Sequence, residues 1–240
     1  MTKDAYPTKT GITKHQPKPL IDMLVSIIIP SVILMKLSGS EDLGASGALI
    51  VALAFPISWG LFELYKYRKF NFIALLGLIG VLLTGGIGLL ELDPQWLAIK
   101  EATIPGLMGL AILISSYTRY PLIKTLLYNP NFMNIQKVKI KLTKHGSIKI
   151  FEHHLQNATY WLSATFFFSA IMNYALARWI VTSPSGSAAF NEELGRMTLL
   201  SYPVIAIPTT LMMMAIMYYL WRTIHDMTGL KLEEILVTPH

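Results

Sequence analysis

Between Lys69 and Glu91 the chain runs through 21 consecutive residues without a charged side chain, and only Asn71 and Thr84 among them are polar. A helix needs ~20 mostly apolar residues to cross the hydrocarbon core of a bilayer. A run of this length and purity is hard to bury in a soluble fold. Five more stretches read the same way, so the predicted spans are residues 20–37, 45–64, 70–90, 97–118, 158–181 and 201–221. Composition points the same way: 53% of the 240 residues are hydrophobic and 14% charged, where soluble chains carry roughly 25% charged residues. In lipid only helices and closed barrels satisfy their own backbone. The expected fold is therefore all-α, a polytopic transmembrane bundle of about six spans.

Charge sets the expected orientation. With both termini in the cytoplasm, the inner segments hold sixteen of the twenty Lys and Arg residues. The outer side keeps Lys36, Lys100, Arg178 and Arg196. Positive residues accumulate on the cytoplasmic side of inner-membrane proteins, which predicts an N-in, C-in protein of a bacterial inner membrane. The formal charge of +6 is then a topological signal, and no nucleic-acid partner is expected. The division is a polar tail over 1–19, a membrane domain over 20–221 and a second tail over 222–240. The first tail has three prolines and four lysines and does not read as a cleavable signal peptide. Trp96, Trp179, Trp221, Tyr65 and Tyr67 sit at predicted span ends, where amphipathic rings favour the headgroup level.

The basic loop 119–157 alternates in two ways. Ile135, Val138 and Leu142 recur at helical spacing, Gly146 can end that helix, and Ile148, Phe151 and Leu155 resume the period. Lys137–Leu142 also alternates as a strand would. Two short helices lying on the membrane surface are expected, with the lysines attracted to anionic headgroups.

Chemistry is harder to place. With no cysteine the chain has no disulfide, thiolate metal site or cysteine nucleophile. No metal and no cofactor is expected. Thr84-Gly85-Gly86-Ile87-Gly88 lacks the remainder of a phosphate loop and reads as close helix packing. The adjacent His153 and His154 cannot share one metal as an i, i+4 pair would. Charges inside or beside spans are expensive in hydrocarbon and carry more meaning. Glu91, Asp93, Lys100 and Glu101 bracket the turn between the third and fourth spans, and Asn173 and Arg178 of the fifth could face them. Pro105 cannot donate to the Glu101 carbonyl, so a broken helix would lie beside the group, as in many carrier sites. Together these six form the candidate substrate or ion site. The bland alternative is an ion-paired helix cap. Glu63, near the unfavourable C-terminal end of the second span and one turn before Lys66, is the second candidate. Pro30, Pro56, Pro105 and Pro208 fall in four different spans. The matched Ile29-Pro30 and Ile104-Pro105 hint at two inverted halves of three helices each.

Phe70-Asn71-Phe72, Glu91-Leu92-Asp93-Pro94, Lys100-Glu101-Ala102, Thr182-Ser183-Pro184, Phe190-Asn191-Glu192 and Leu194-Gly195-Arg196-Met197 are similar to runs in a family of small proteobacterial inner-membrane proteins. That family is variously grouped as intracellular septation protein A-like or major-facilitator transporter-like. The resemblance spans most of the chain and implies a six-helix polytopic fold, without a substrate or a catalytic residue. Two functions follow as expectations. The first is a small secondary carrier for an unknown small molecule, with a homodimer as a candidate assembly. The second is a non-transporting envelope or septation-associated scaffold acting through loop 119–157. With no cysteine, metal-ligand pair or catalytic motif, an enzyme is not expected.

Overall fold

The computed structural model describes residues 24–67, 72–118, 122–123 and 134–235. The expectations for tail 1–19, for the start of the first span, for most of 119–133 and for the last five residues lie outside these. Among the described residues every regular element is helical. A π-helical turn, Leu24–Ile28, leads into α1 (Ile29–Lys36), followed by α2 (Gly44–Tyr67), α3 (Phe72–Leu89) and α4 (Gln95–Ser115). Then come α5 (Ile135–Lys144), α6 (Ile148–Ile180) and α7 (Ala188–Ser201). A second π-helical turn, Tyr202–Ala206, joins α7 to α8 (Ile207–Thr228), and α9 (Leu232–Ile235) ends the described chain.

Three stretches are long and apolar enough to cross a membrane: Gly44–Phe62, Gln95–Ser115 and Ala188–Thr228, with Ile79–Leu89 a shorter apolar helix. Their outward faces are apolar, with Ile50, Leu107 and Leu211 each at least 55% exposed on three different helices. Water would penalise such faces and lipid would not.

Local chemistry sets the boundaries. Asp93 accepts the Gln95 N–H at 2.7 Å and opens α4. Asn134 caps α5 through the Lys137 N–H at 3.1 Å, and Ser187 caps α7 through Phe190 N–H at 3.1 Å. Gly146 and Gly229 take φ of +66° and +70° beyond the ends of α5 and α8, a conformation open to glycine at no Cβ penalty.

Two expectations about helices are corrected. Residues 148–157 are not a separate surface helix but the beginning of α6. From Ser147 to Thr182 and Ser183 there is no glycine or proline, so nothing interrupts the helix before Pro184. At 1.5 Å per residue its 33 residues extend ~50 Å, well beyond the ~30 Å of a bilayer core. The sixth apolar stretch likewise starts early, with α7 at Ala188. Pro208 lies in the first turn of α8, after the π-turn that holds Pro203. The widened turn absorbs the missing N–H groups. The strand alternative for 137–142 is replaced by helix, with Val138 and Leu142 buried. No helix like α7 fits in the four residues between α2 and α3, so the two halves of three differ there.

The core comes in two parts. At the end bearing the α3–α4 and α6–α7 turns, Leu34, Leu49, Leu97, Leu176, Ala177, Phe190 and Leu194 pack together. At the end bearing α5 and α9, Ile112, Val138, Leu142, Leu155, Leu162, Leu220 and Ile224 do so. The antiparallel α4 and α6 carry both clusters and make the most extensive contact in the bundle. Gly109 lets them approach: a Cβ there would stand 3.3 Å from the Ser163 carbonyl and the Phe166 Cβ. Ser163 Oγ donates to the Gly109 carbonyl at 2.8 Å across that contact.

At the α5 end, Lys137 Nζ lies 2.8 Å from Glu234 Oε1, and the Asn134 N–H donates to the Ile235 carbonyl at 2.8 Å. The Lys137 ammonium and the Lys231 amide hold the Glu234 carboxyl below the ordinary carboxylate range. A depressed folded pKa gives stability that is present above the unfolded value and lost as pH falls through the folded one. The Asn134 amide resonance is therefore expected to shift on acidification with a midpoint below that of free glutamate. In Glu234→Gln that transition should vanish; its persistence would show another group to be responsible.

Candidate functional site

Between the two apolar clusters α3, α4, α6 and α8 part to leave a cavity of ≈ 710 Å³. Its walls mix soft apolar groups (Ile104, Pro105, Met108, Phe166 and Met213) with polar ones. α4 supplies Lys100 and Glu101, α6 supplies Thr165, Ser169 and Asn173, and α8 supplies Thr209 and Thr210.

Lys100 and Glu101 are sequence neighbours, and such residues do not face each other on a helix. They nonetheless meet, with Nζ 2.6 Å from Glu101 Oε1. Both side chains turn toward the cavity because the alternative is a separate charge beside hydrocarbon. Lys100 is the deeper partner, its side chain 13% exposed against 28% for Glu101. Its ammonium also donates to Thr84 Oγ1 at 2.6 Å and reaches the Gly80 carbonyl at 3.4 Å. Lys100 is thus tied to α3 while Glu101 stands at the cavity wall.

The polar side chains of α6 recur every fourth residue, at Thr165, Ser169 and Asn173, and so share one face. Asn173 Nδ2 donates to the Ser169 carbonyl at 2.8 Å and to Ser169 Oγ at 3.2 Å. A carbonyl can only accept, so the amide orientation is fixed and Asn173 Oδ1 points away from Ser169. Thr165 donates to the Trp161 carbonyl at 3.0 Å and Thr209 to the Ile205 carbonyl at 2.8 Å.

Of the six residues expected in one site, the structure brings three together: Lys100, Glu101 and Asn173. Glu91, Asp93 and Arg178 are exposed and do not line the cavity. Glu91 sits in the turn with φ +51°, its side chain against Gly186, where an added Cβ would come within 2.7 Å of Glu91 Cγ. Asp93 is spent on capping α4. Arg178 is in the last turn of α6, where its charge complements the helix dipole. Glu63 lies in the last turns of α2, but its side chain is outside the described residues.

Other features are structural. A Cβ on Gly85 would come within 2.7 Å of Leu53 Cδ1, and one on Gly88 would meet Leu49 and Phe190. The glycine cluster therefore seats α3 against α2 and α7. His154 bonds Tyr219 Oη at 2.6 Å while His153 is exposed. Among the described residues no three His, Asp or Glu side chains are grouped to hold a metal ion. Glu193 accepts from the backbone and hydroxyl of both Thr182 and Ser183, at 2.8–3.3 Å, and ties the α6–α7 link to α7. Nothing in its sequence context distinguishes it from an exposed glutamate.

The chain matches no protein-family model, no curated protein and no solved structure.

Proposed function

We propose that the protein is a small secondary carrier of a bacterial inner membrane, with six spans, both termini in the cytoplasm and its binding site in the central cavity. A single observation carries this reading: an ion pair, an amide and several hydroxyls line an open cavity between two apolar layers of an apolar helix bundle. A bundle that only anchored or scaffolded would gain more from apolar packing at this depth. The cavity also lies beside the places where helical hydrogen bonding departs from regularity, although α4 runs unbroken through Pro105. Pro105 leaves the Glu101 carbonyl without its helical donor, and the π-turn at Tyr202–Ala206 lies just before Thr209. Carriers move helices at such points. The septation-associated scaffold is the competing reading. The basic α5 surface, with Ile140 exposed among Lys139, Lys141 and Lys144, fits docking on anionic headgroups under either.

The absence of native cysteine makes the test direct. Single cysteines at Ser169 and Thr210 are to be labelled with a membrane-impermeant maleimide in vesicles of defined orientation. A carrier exposes each from both sides of the membrane over time, whereas a static bundle exposes each from one side or neither. In the same vesicles, Lys139→Cys should label from the cytoplasmic side only and Ala189→Cys from the opposite side only. Any reversal overturns the proposed orientation.

A further inference from the structure

The cavity has mostly spent its donors and kept its acceptors, and we infer from this that its ligand is an organic ammonium with an apolar body, bound through Glu101. This inference rests on the carrier reading and names the substrate class of the same site. Lys100 has three N–H donors and three acceptors around it: Glu101 Oε1, Thr84 Oγ1 and the Gly80 carbonyl. Thr84 gives its hydroxyl hydrogen to the Gly80 carbonyl, as Thr165 does to Trp161 and Thr209 to Ile205. A carbonyl cannot donate, so these hydroxyl hydrogens are committed. Asn173 spends both N–H groups on Ser169. Only Ser169 and Thr210 among these cavity hydroxyls have no acceptor of their own among the described residues.

The acceptors are open by contrast. Among the described residues, Glu101 has no hydrogen-bond or ion-pair partner besides Lys100, and Oε1 satisfies that contact. Oε2 is left over, as is Asn173 Oδ1, and neither is an enclosed orphan atom. Both residues line the same cavity, and helix register sets them at the same level. A Cβ on Gly106 of α4 would lie 3.7 Å from the Cβ of Ala170 on antiparallel α6, so Glu101 of α4 comes level with the Asn173 region of α6.

The ion pair is a dipole with its positive end tied to α3 and its negative end toward the cavity. A cation at Glu101 Oε2 is nearer the carboxylate than the ammonium of Lys100, so attraction exceeds repulsion, and a low local dielectric enlarges the difference. A carboxylate ligand would meet Glu101 first and would find the Lys100 hydrogens already engaged. Met108, Phe166 and Met213 provide adaptable apolar walls for the remainder of the ligand, and Phe166 an aromatic ring attractive to cations. Among the described residues Lys100 is the one other charged group lining the cavity from any of its four helices.

The test holds the apolar body constant and changes the head. 2-Naphthylmethylammonium, 2-naphthylmethanol and 2-naphthoate are measured by equilibrium dialysis against the purified full-length protein in detergent, with protein-free micelles as the blank. The ammonium should bind about tenfold or more tighter than the carboxylate, with the alcohol between, as expected for a hydrogen bond to a charged group. Glu101→Gln should bring the ammonium down to the level of the alcohol, and Glu101→Asp should keep most of the preference. Asn173→Leu should weaken the ammonium several-fold, and serves if Glu101→Gln is poorly folded. Equal or tighter binding of naphthoate, binding of none of the three, or a preference unchanged in Glu101→Gln overturns the ammonium assignment. Two-sided labelling at Ser169 and Thr210 would then leave the carrier reading standing, whereas one-sided labelling removes that reading whatever the probes do.

Discussion

Lys100→Leu is expected to destabilise the protein by about 2–3 kcal/mol, and Lys100→Leu combined with Glu101→Leu to recover most of that loss. The single change leaves the Glu101 carboxylate without its ammonium between two apolar layers, and Thr84 Oγ1 loses a donor while keeping its own bond to the Gly80 carbonyl. Breaking a fully buried pair costs ~3–5 kcal/mol. The smaller figure applies here because the Lys100 and Glu101 side chains retain 13% and 28% exposure, and solvent in the cavity screens part of the interaction. Removing both charges takes away the desolvation penalty together with the attraction, so the double variant should lie within ~1 kcal/mol of the parent. SDS-induced unfolding of the four proteins closes a double-mutant cycle, whose coupling term isolates the pair. A double variant that is stable but no longer labels Thr210→Cys from both sides would separate function from fold. Additive losses would mean that the two charges act independently, and would contradict the pairing seen in the cavity.

Much of the architecture was legible because bilayers impose long apolar runs, and such runs survive in a sequence without knowledge of tertiary contacts. The helical character of 137–142 followed from Val138 and Leu142 at four-residue spacing. The length of α6 was missed, although no breaker lies between Ser147 and Pro184. It was read as two pieces because the change from charged to apolar at Ala158 looks like a boundary, although composition does not end a helix. The site divided along similar lines. Lys100 and Glu101 stood out because charge is rare in such runs. Glu91 and Asp93 stood out equally, yet the turn directs them to capping and to Gly186. The stripe of Thr165, Ser169 and Asn173 was present in the sequence at helical spacing, but hydroxyls in a membrane helix usually bond their own backbone and carry a weak signal. That Thr84 would receive Lys100 depends on the register of α3 against α4, a contact across sixteen residues.

Gly195→Ala should give the other large loss, of about 1–3 kcal/mol, although the substitution adds one methyl group far from the cavity. α7 lies directly on α1 at this point. A Cβ on Gly195 would stand 2.8 Å from both the Ser31 carbonyl oxygen and Met35 Cγ, and 3.3 Å from Leu34 Cβ. Met35 can swing aside, but the backbone of α1 cannot, so the helices must separate. One turn earlier on the same face, Asn191 is fully buried and donates to Ser38 Oγ at 3.1 Å and to the Ala45 carbonyl at 2.7 Å. Moving α7 outward stretches both bonds, and each buried polar group left unmade costs ~1–3 kcal/mol. The gain in helix propensity from glycine to alanine, ~1 kcal/mol, offsets only part of this. Gly86→Ala is the matched control, since its added Cβ meets nothing within 4 Å and the propensity gain should appear undiminished. SDS unfolding should therefore move in opposite directions for the two alanines. Neither α1 nor α7 lines the cavity, so labelling of Thr210→Cys should be unchanged in Gly195→Ala at temperatures where it remains folded. A Gly195→Ala protein as stable as its parent would show that α1 and α7 are not in close contact, and with that the buried role of Asn191 would fall as well.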